Sequence, residues 1–169
     1  APAVVTGFMS TGVKAAAFAA FVRVLMSAFG SVATDWTPIL WLLSALTMIV
    51  GTVVGVAQTN LKRLLAYSSI AHAGYLLIAL VAGNGIGKAA LLFYLLVYAL
   101  TNVAAFGVIA LVATSSRAND ELDDFAGLWS RQPLLAGLLT VLLLSLGGFP
   151  PTAGLIAKGY MFSAGISGG

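Results

Sequence analysis

The sequence predicts an all-α polytopic membrane protein with five transmembrane segments, the last of them a discontinuous helix. Three observations carry that prediction. The 169 residues are 60% hydrophobic and 8% charged, whereas globular domains are about half apolar and a quarter charged. Apolar stretches at about 4–29, 38–57, 61–82, 89–113 and 134–166 each approach or exceed the roughly 20 residues that span a bilayer. The final stretch is too long for one simple crossing, and Gly147-Gly148 and Pro150-Pro151 interrupt it.

The first span carries Lys14 well inside its apolar run, roughly 15 Å from the start at 1.5 Å per residue. A charge at that depth costs at least about 2.5–3.5 kcal/mol, so Lys14 is a candidate functional residue. Arg23 lies near the far end of the same span, where a long side chain snorkels to the interface. The run Ala15, Ala16, Ala17, Ala19 and Ala20, and the pair Gly51 and Gly55 in span two, are small residues that let helices approach closely. For the glycine pair the reading is ordinary tight packing. Trp36 and Trp41 near one end of span two, and Trp129 beside span five, suit interfacial belts.

Span three opens on Lys62-Arg63, read as an anchor at a helix end, and places His72 about 15 Å further along. A lone histidine beside Ser68, Ser69 and Tyr75 can simply bond a neighbouring helix. With buried lysines in the same chain, an imidazole that exchanges protons near neutral pH becomes a relay candidate. In span five, Pro150 and Pro151 leave upstream carbonyls without N–H partners. Hydrocarbon cannot satisfy those carbonyls, so such a break needs a protein interior or a wet cavity. Lys158 follows about two turns later. A broken helix with an ionisable group at mid-membrane is the pattern of an ion pathway.

Composition excludes several functions. There is no cysteine for an iron–sulfur cluster or thiolate metal site, and one histidine cannot supply paired haem ligands. No cofactor or metal is therefore expected on this chain. The net charge of +3 is scattered and loop-bound, which reads as membrane orientation and not as nucleic-acid binding. Loops 58–63 and 114–132 hold Lys62, Arg63, Arg117 and Arg131 and are expected on the cytoplasmic side. Loops 30–37 and 83–88, which carry only Lys88 as a base, are expected outside. All five acids, Asp35, Asp120, Glu121, Asp123 and Asp124, fall in these predicted loops. The interior thus holds bases without an acid. With no initiator methionine and no signal-peptide pattern, the chain is expected to be an internal fragment.

The run Gln58-Thr-Asn-Leu-Lys-Arg-Leu-Leu-Ala-Tyr-Ser-Ser-Ile-Ala-His-Ala-Gly-Tyr75 closely resembles the antiporter-like membrane subunits of respiratory complex I. The same motifs occur in multisubunit cation/proton antiporters and membrane-bound hydrogenases. Ser10-Thr-Gly-Val-Lys-Ala-Ala-Ala-Phe18, Tyr94-Leu-Leu-Val-Tyr-Ala-Leu-Thr-Asn102, Leu122-Asp-Asp-Phe-Ala-Gly-Leu128 and Leu144-Ser-Leu-Gly-Gly-Phe-Pro-Pro-Thr-Ala-Gly154 resemble the N-type subunits of that family. An M-type subunit would be expected to carry glutamate at Lys158.

The resemblance covers essentially the whole chain and implies helices eight to twelve of a fourteen-helix fold in a bacterial inner membrane. It implies that Lys14, His72 and Lys158 lie on a hydrophilic axis and relay protons, with the break at Gly147, Gly148, Pro150 and Pro151 admitting water. It also implies neighbouring membrane subunits as partners, and NADH, FMN, iron–sulfur clusters and quinone on partner subunits. The family's glutamate of helix five and lysine of helix seven are absent, so this segment would not move protons alone. The alternative is an Mrp-type cation/proton antiporter subunit without redox coupling. A purely structural spacer would leave Lys14 and Lys158 unexplained.

Overall fold

The computed structural model describes residues 2–113 and 121–167. The basic and acidic loop positions Arg117 and Asp120, and the terminal Ala1, lie outside them. Among the described residues, four helices are long and apolar enough to cross a membrane. They are α1 (Ala3–Ala28), α2 (Ala33–Val56), α3 (Leu61–Val81) and α4 (Gly85–Val112). A single turn, α5 (Leu128–Arg131), precedes α6 (Pro133–Gly147) and α7 (Ala153–Ser167). At 15 residues each, α6 and α7 extend only about 22 Å, short of the roughly 30 Å hydrocarbon core. The expected single stretch 134–166 is thus two helices with a break at 148–152.

Several boundaries differ from the sequence expectation, for identifiable reasons. Loop 83–88 shrinks to three residues, because the Asn84 side chain caps α4 by accepting the Gly87 N–H at 2.6 Å. Lys88 and the start of the predicted 89–113 span are therefore helical. Loop 30–37 is a 3-10 turn (Gly30–Val32) leading straight into α2. There the Trp36 indole donates to the Phe29 carbonyl at 3.0 Å, which ties the first turn of α2 to the end of α1. The predicted start at Pro38 is five residues late, and Asp35 is a first-turn helical acid and not a loop residue. Its charge there complements the helix dipole.

Asn60 caps α3 through the Arg63 N–H at 3.1 Å and also donates to Glu121 at 3.2 Å. Leu122 N–H bonds the Thr59 carbonyl at 2.9 Å. These bonds join the 58–60 connection and residues 121–122 at one end of the bundle. At the other end Asn84 reaches the Ala164 carbonyl at 3.4 Å.

Helix α2 and helix α3 form a close antiparallel pair. A Cβ at Gly51 would sit 2.6 Å from the Ala71 amide nitrogen, and one at Gly74 would sit 2.9 Å from the Ser44 carbonyl. Gly55 likewise faces Tyr67, so the Gly51/Gly55 pattern is ordinary packing within the chain. The alanines of α1 differ: Ala16, Ala17, Ala19 and Ala20 are exposed on this chain. Helix α4 is the hub, touching α1, α3, α6 and α7. The core lies along it, with Leu76, Leu80, Leu91, Ala105, Phe106, Ile109, Ala157 and Met161 almost wholly buried. Trp41 and Trp129 point outward, while Trp36 packs against the core.

Candidate functional site: a buried polar cluster on the hub helix

Beyond Lys88 in its first turn, helix α4 is apolar except for one stripe. Tyr94, Tyr98, Thr101 and Asn102 recur at helical spacing on one face, and all four are buried, Asn102 to 1% exposure. Buried polar groups must find partners, and the partners of three of these are the groups singled out in the sequence or their immediate neighbours.

The Lys14 ammonium donates to both the carbonyl and the hydroxyl of Ser69 on α3. It lies 3.5 Å from the Tyr98 hydroxyl and 4.7 Å from that ring's centroid. A cation over a tyrosine face is attracted by the ring quadrupole, so Lys14 is held without any carboxylate. Preceding it, residues Met9–Val13 form a π turn, a wider helical turn frequently found at functional sites.

His72, three residues after Ser69, is 4% exposed. Its Nδ1 bonds the Tyr94 hydroxyl, and its ring packs 5.1 Å from Tyr98 and 5.7 Å edge-on from Tyr75, centroid to centroid. Tyr98 is therefore in contact with both Lys14 and His72.

Lys158 projects from α7 back across the break. Its ammonium donates to the carbonyls of Leu146 and Gly147 at 2.9 and 3.0 Å. These are carbonyls at the C-terminal end of α6, where the partial negative charge of the helix dipole favours a cation. Gly148, with φ +80°, ends α6 in the left-handed conformation. Gly154 lets α7 approach the Ser145 carbonyl so closely that a Cβ there would overlap it. Lys158 also lies 5.1 Å from the Tyr75 ring centroid.

Two cavities are lined by both His72 and Lys158. One is a small space of about 10 Å³ that also touches Tyr94, Tyr98, Thr101, Ser145 and Gly154, at the lower limit for a single water. The other is a cleft of about 290 Å³ between α2, α3 and the break, bordered by Thr52, Ser68 and Tyr75. Lys14, His72 and Lys158, far apart in sequence, thus adjoin one cluster with the tyrosines between them. Arg23 is exposed on α1 and Arg63 at the start of α3, away from the cluster. Lys62, half-buried, sits on the first turn of α3.

Sequence reasoning did not single out Tyr94, Tyr98, Thr101 or Asn102 as site residues. The signal was present: hydroxyl and amide side chains at i, i+4, i+7 and i+8 in a 28-residue helix that is otherwise apolar after Lys88. Which lysine each faces depends on helix register, which the sequence does not state.

Comparison with known proteins agrees with the motifs. The transmembrane family described as NADH:quinone oxidoreductase/Mrp antiporter matches residues 1–169. NADH-quinone oxidoreductase subunit N of Trichlorobacter lovleyi is 48% identical over 169 residues, covering 100% of this chain and 35% of that protein. Its counterpart in Chloroflexus aggregans is 49% identical over 169 residues, covering 99% of this chain and 35% of its own length. NAD(P)H-quinone oxidoreductase subunit 2 of Synechocystis is 46% identical over 168 residues, covering 99% and 32%. The chain spans about a third of the length of these curated relatives. Four membrane-length helices, a buried lysine–histidine–tyrosine cluster and full-length family similarity lead to one assignment: the chain is a membrane protein that belongs to the NADH:quinone oxidoreductase/Mrp antiporter transmembrane family.

Proposed function

We propose that this chain is part of a proton-translocating membrane subunit of NADH–quinone oxidoreductase, and that Lys14, His72 and Lys158 relay protons through it. The observation that carries the reading is the position of Tyr98, in contact with Lys14 at 3.5 Å and packed against His72, which shares two cavities with Lys158. Each of the three groups has an oxygen partner: the Ser69 hydroxyl for Lys14 and the Tyr94 hydroxyl for His72, both able to exchange a proton, and the α6 carbonyls, which accept hydrogen bonds from Lys158 and hold it. A proton leaving Lys14 would pass by the Ser69 and Tyr98 hydroxyls to His72, and across the small cavity to Lys158. A lysine between apolar surroundings and a movable charge can be loaded and emptied by modest changes nearby. The broken pair α6 and α7 would make the fifth crossing, its free carbonyls held by Lys158.

In this reading the chain corresponds to helices eight to twelve of a fourteen-helix subunit in a bacterial inner membrane. Loops 58–63 and 114–132 would face the cytoplasm, and the Asn60–Glu121 bond supports a common side for them. Adjacent membrane subunits would be its partners, while NADH, FMN, iron–sulfur clusters and quinone would reside on other subunits. The names of the relatives favour this over an Mrp-type antiporter, which the family description also includes. The test is alanine substitution of Lys14 or Lys158 in the full-length protein within the assembled complex, reading proton pumping against quinone reduction. Reduced pumping at both positions is expected; normal pumping in both variants would overturn the relay.

A further inference from the structure

We propose that Asn102 is a positioning residue for Lys14: it clamps the π turn of α1 and thereby sets the direction in which that lysine points. The inference rests on the relay reading of Lys14 and adds a residue to which that reading gives no role.

Asn102 is 1% exposed and donates its side-chain amide to two hydroxyls, Ser10 Oγ at 2.8 Å and Thr11 Oγ1 at 2.9 Å. Ser10 in turn donates to the Gly7 carbonyl at 3.0 Å. An amide nitrogen has two N–H donors, so both are used here. Neighbouring residues of an α-helix diverge by about 100°, which makes it hard for consecutive hydroxyls to serve one amide. The wider π turn over Met9–Val13 brings them together.

The consequence falls on the next residue. In an uninterrupted α-helix Gly7, Thr11 and Lys14 would share one stripe, at i, i+4 and i+7. Gly7 packs on Phe106 and Thr11 on Asn102, both on α4, so that stripe faces α4. The extra residue of the π turn offsets Lys14 from it by about 100°. With that offset the ammonium bonds Ser69 on α3, and meets Tyr98 of α4 only at 3.5 Å. Relaxation of the turn to α geometry would return Lys14 to the stripe and separate it from Ser69.

The experiment uses full-length protein in the assembled complex, with Asn102→Leu to remove the donors and Ser10→Ala/Thr11→Val to remove the acceptors. Both are expected to lower pumping as far as Lys14→Ala does, and to add less than twofold when combined with Lys14→Ala. A high-resolution structure of the Ser10→Ala/Thr11→Val complex should show the Lys14 ammonium beyond hydrogen-bond reach of Ser69. If Asn102→Leu does not assemble, the hydroxyl pair decides the matter alone. A Lys14 still on Ser69 in that variant, or losses that multiply with Lys14→Ala, would overturn the proposal. Normal pumping in Lys14→Ala would instead remove the relay reading, while the displacement of Lys14 still tests the clamp.

Discussion

Replacing Gly148 by alanine is expected to damage the helix break, whereas the same change at the adjacent Gly147 is expected to be close to neutral. Gly148 has φ +80°, a conformation that costs an ordinary residue roughly 1–2 kcal/mol. Its new methyl would also sit 3.0 Å from Lys158 Cδ and 3.3 Å from Nζ. The lysine end is flexible, but two hydrogen bonds of 2.9 and 3.0 Å tether it to the α6 carbonyls. Moving it sacrifices at least one charged hydrogen bond, about 1.5–3 kcal/mol. A Cβ at Gly147 meets nothing within 4 Å, and its helical position gains up to about 1 kcal/mol on becoming alanine. The two variants should therefore differ by about 2.5–6 kcal/mol. Asparagine tolerates the left-handed C-cap, so Gly148→Asn isolates the steric part. The assay is the chemical unfolding midpoint of detergent-purified full-length protein. Gly148→Ala and Gly147→Ala agreeing within about 0.5 kcal/mol would refute the reasoning.

Other variants probe separate links. Tyr94→Phe leaves the buried His72 without its hydroxyl partner and should cost about 1–3 kcal/mol, whereas Tyr160→Phe at an exposed site should stay within about 0.5 kcal/mol; unfolding midpoints compare them. Gly154→Ala drives a methyl into the Ser145 carbonyl and should destabilise the α6–α7 contact by about 1–3 kcal/mol or more. Gly159→Ala, with open space around it, should not, and the yield of folded protein distinguishes the pair. Asn60→Ala and Asn84→Ala each remove a helix cap worth about 1 kcal/mol. Hydrogen exchange should lose protection at Arg63 in the first variant only, and at Gly87 in the second only.

Membrane character was legible because hydrocarbon imposes a length and a polarity that composition records directly. The break was legible for a related reason: Pro150 and Pro151 remove donors whatever surrounds them. Boundaries at 30–37 and 83–88 were misread because a side-chain bond at Trp36 and a cap at Asn84 decided them. The buried lysines and histidine stood out because charge in an apolar run is expensive. The tyrosines and Asn102 between them did not, since hydroxyls and amides are cheap enough in apolar helices to pass as packing.

The sequence by itself determined that this is a helical membrane protein with two lysines and a histidine inside its apolar segments. Hydropathy and covalent chemistry are local properties, so each residue reports them without its neighbours in space. Only the tertiary structure decided that Lys14 bonds Ser69 and meets Tyr98, that His72 pairs with Tyr94, and that Lys158 turns back onto the carbonyls of α6. Those choices depend on helix rotation and close approach. They are fixed by a π turn, by glycines that admit a neighbouring backbone, and by hydrogen bonds between residues up to 92 positions apart.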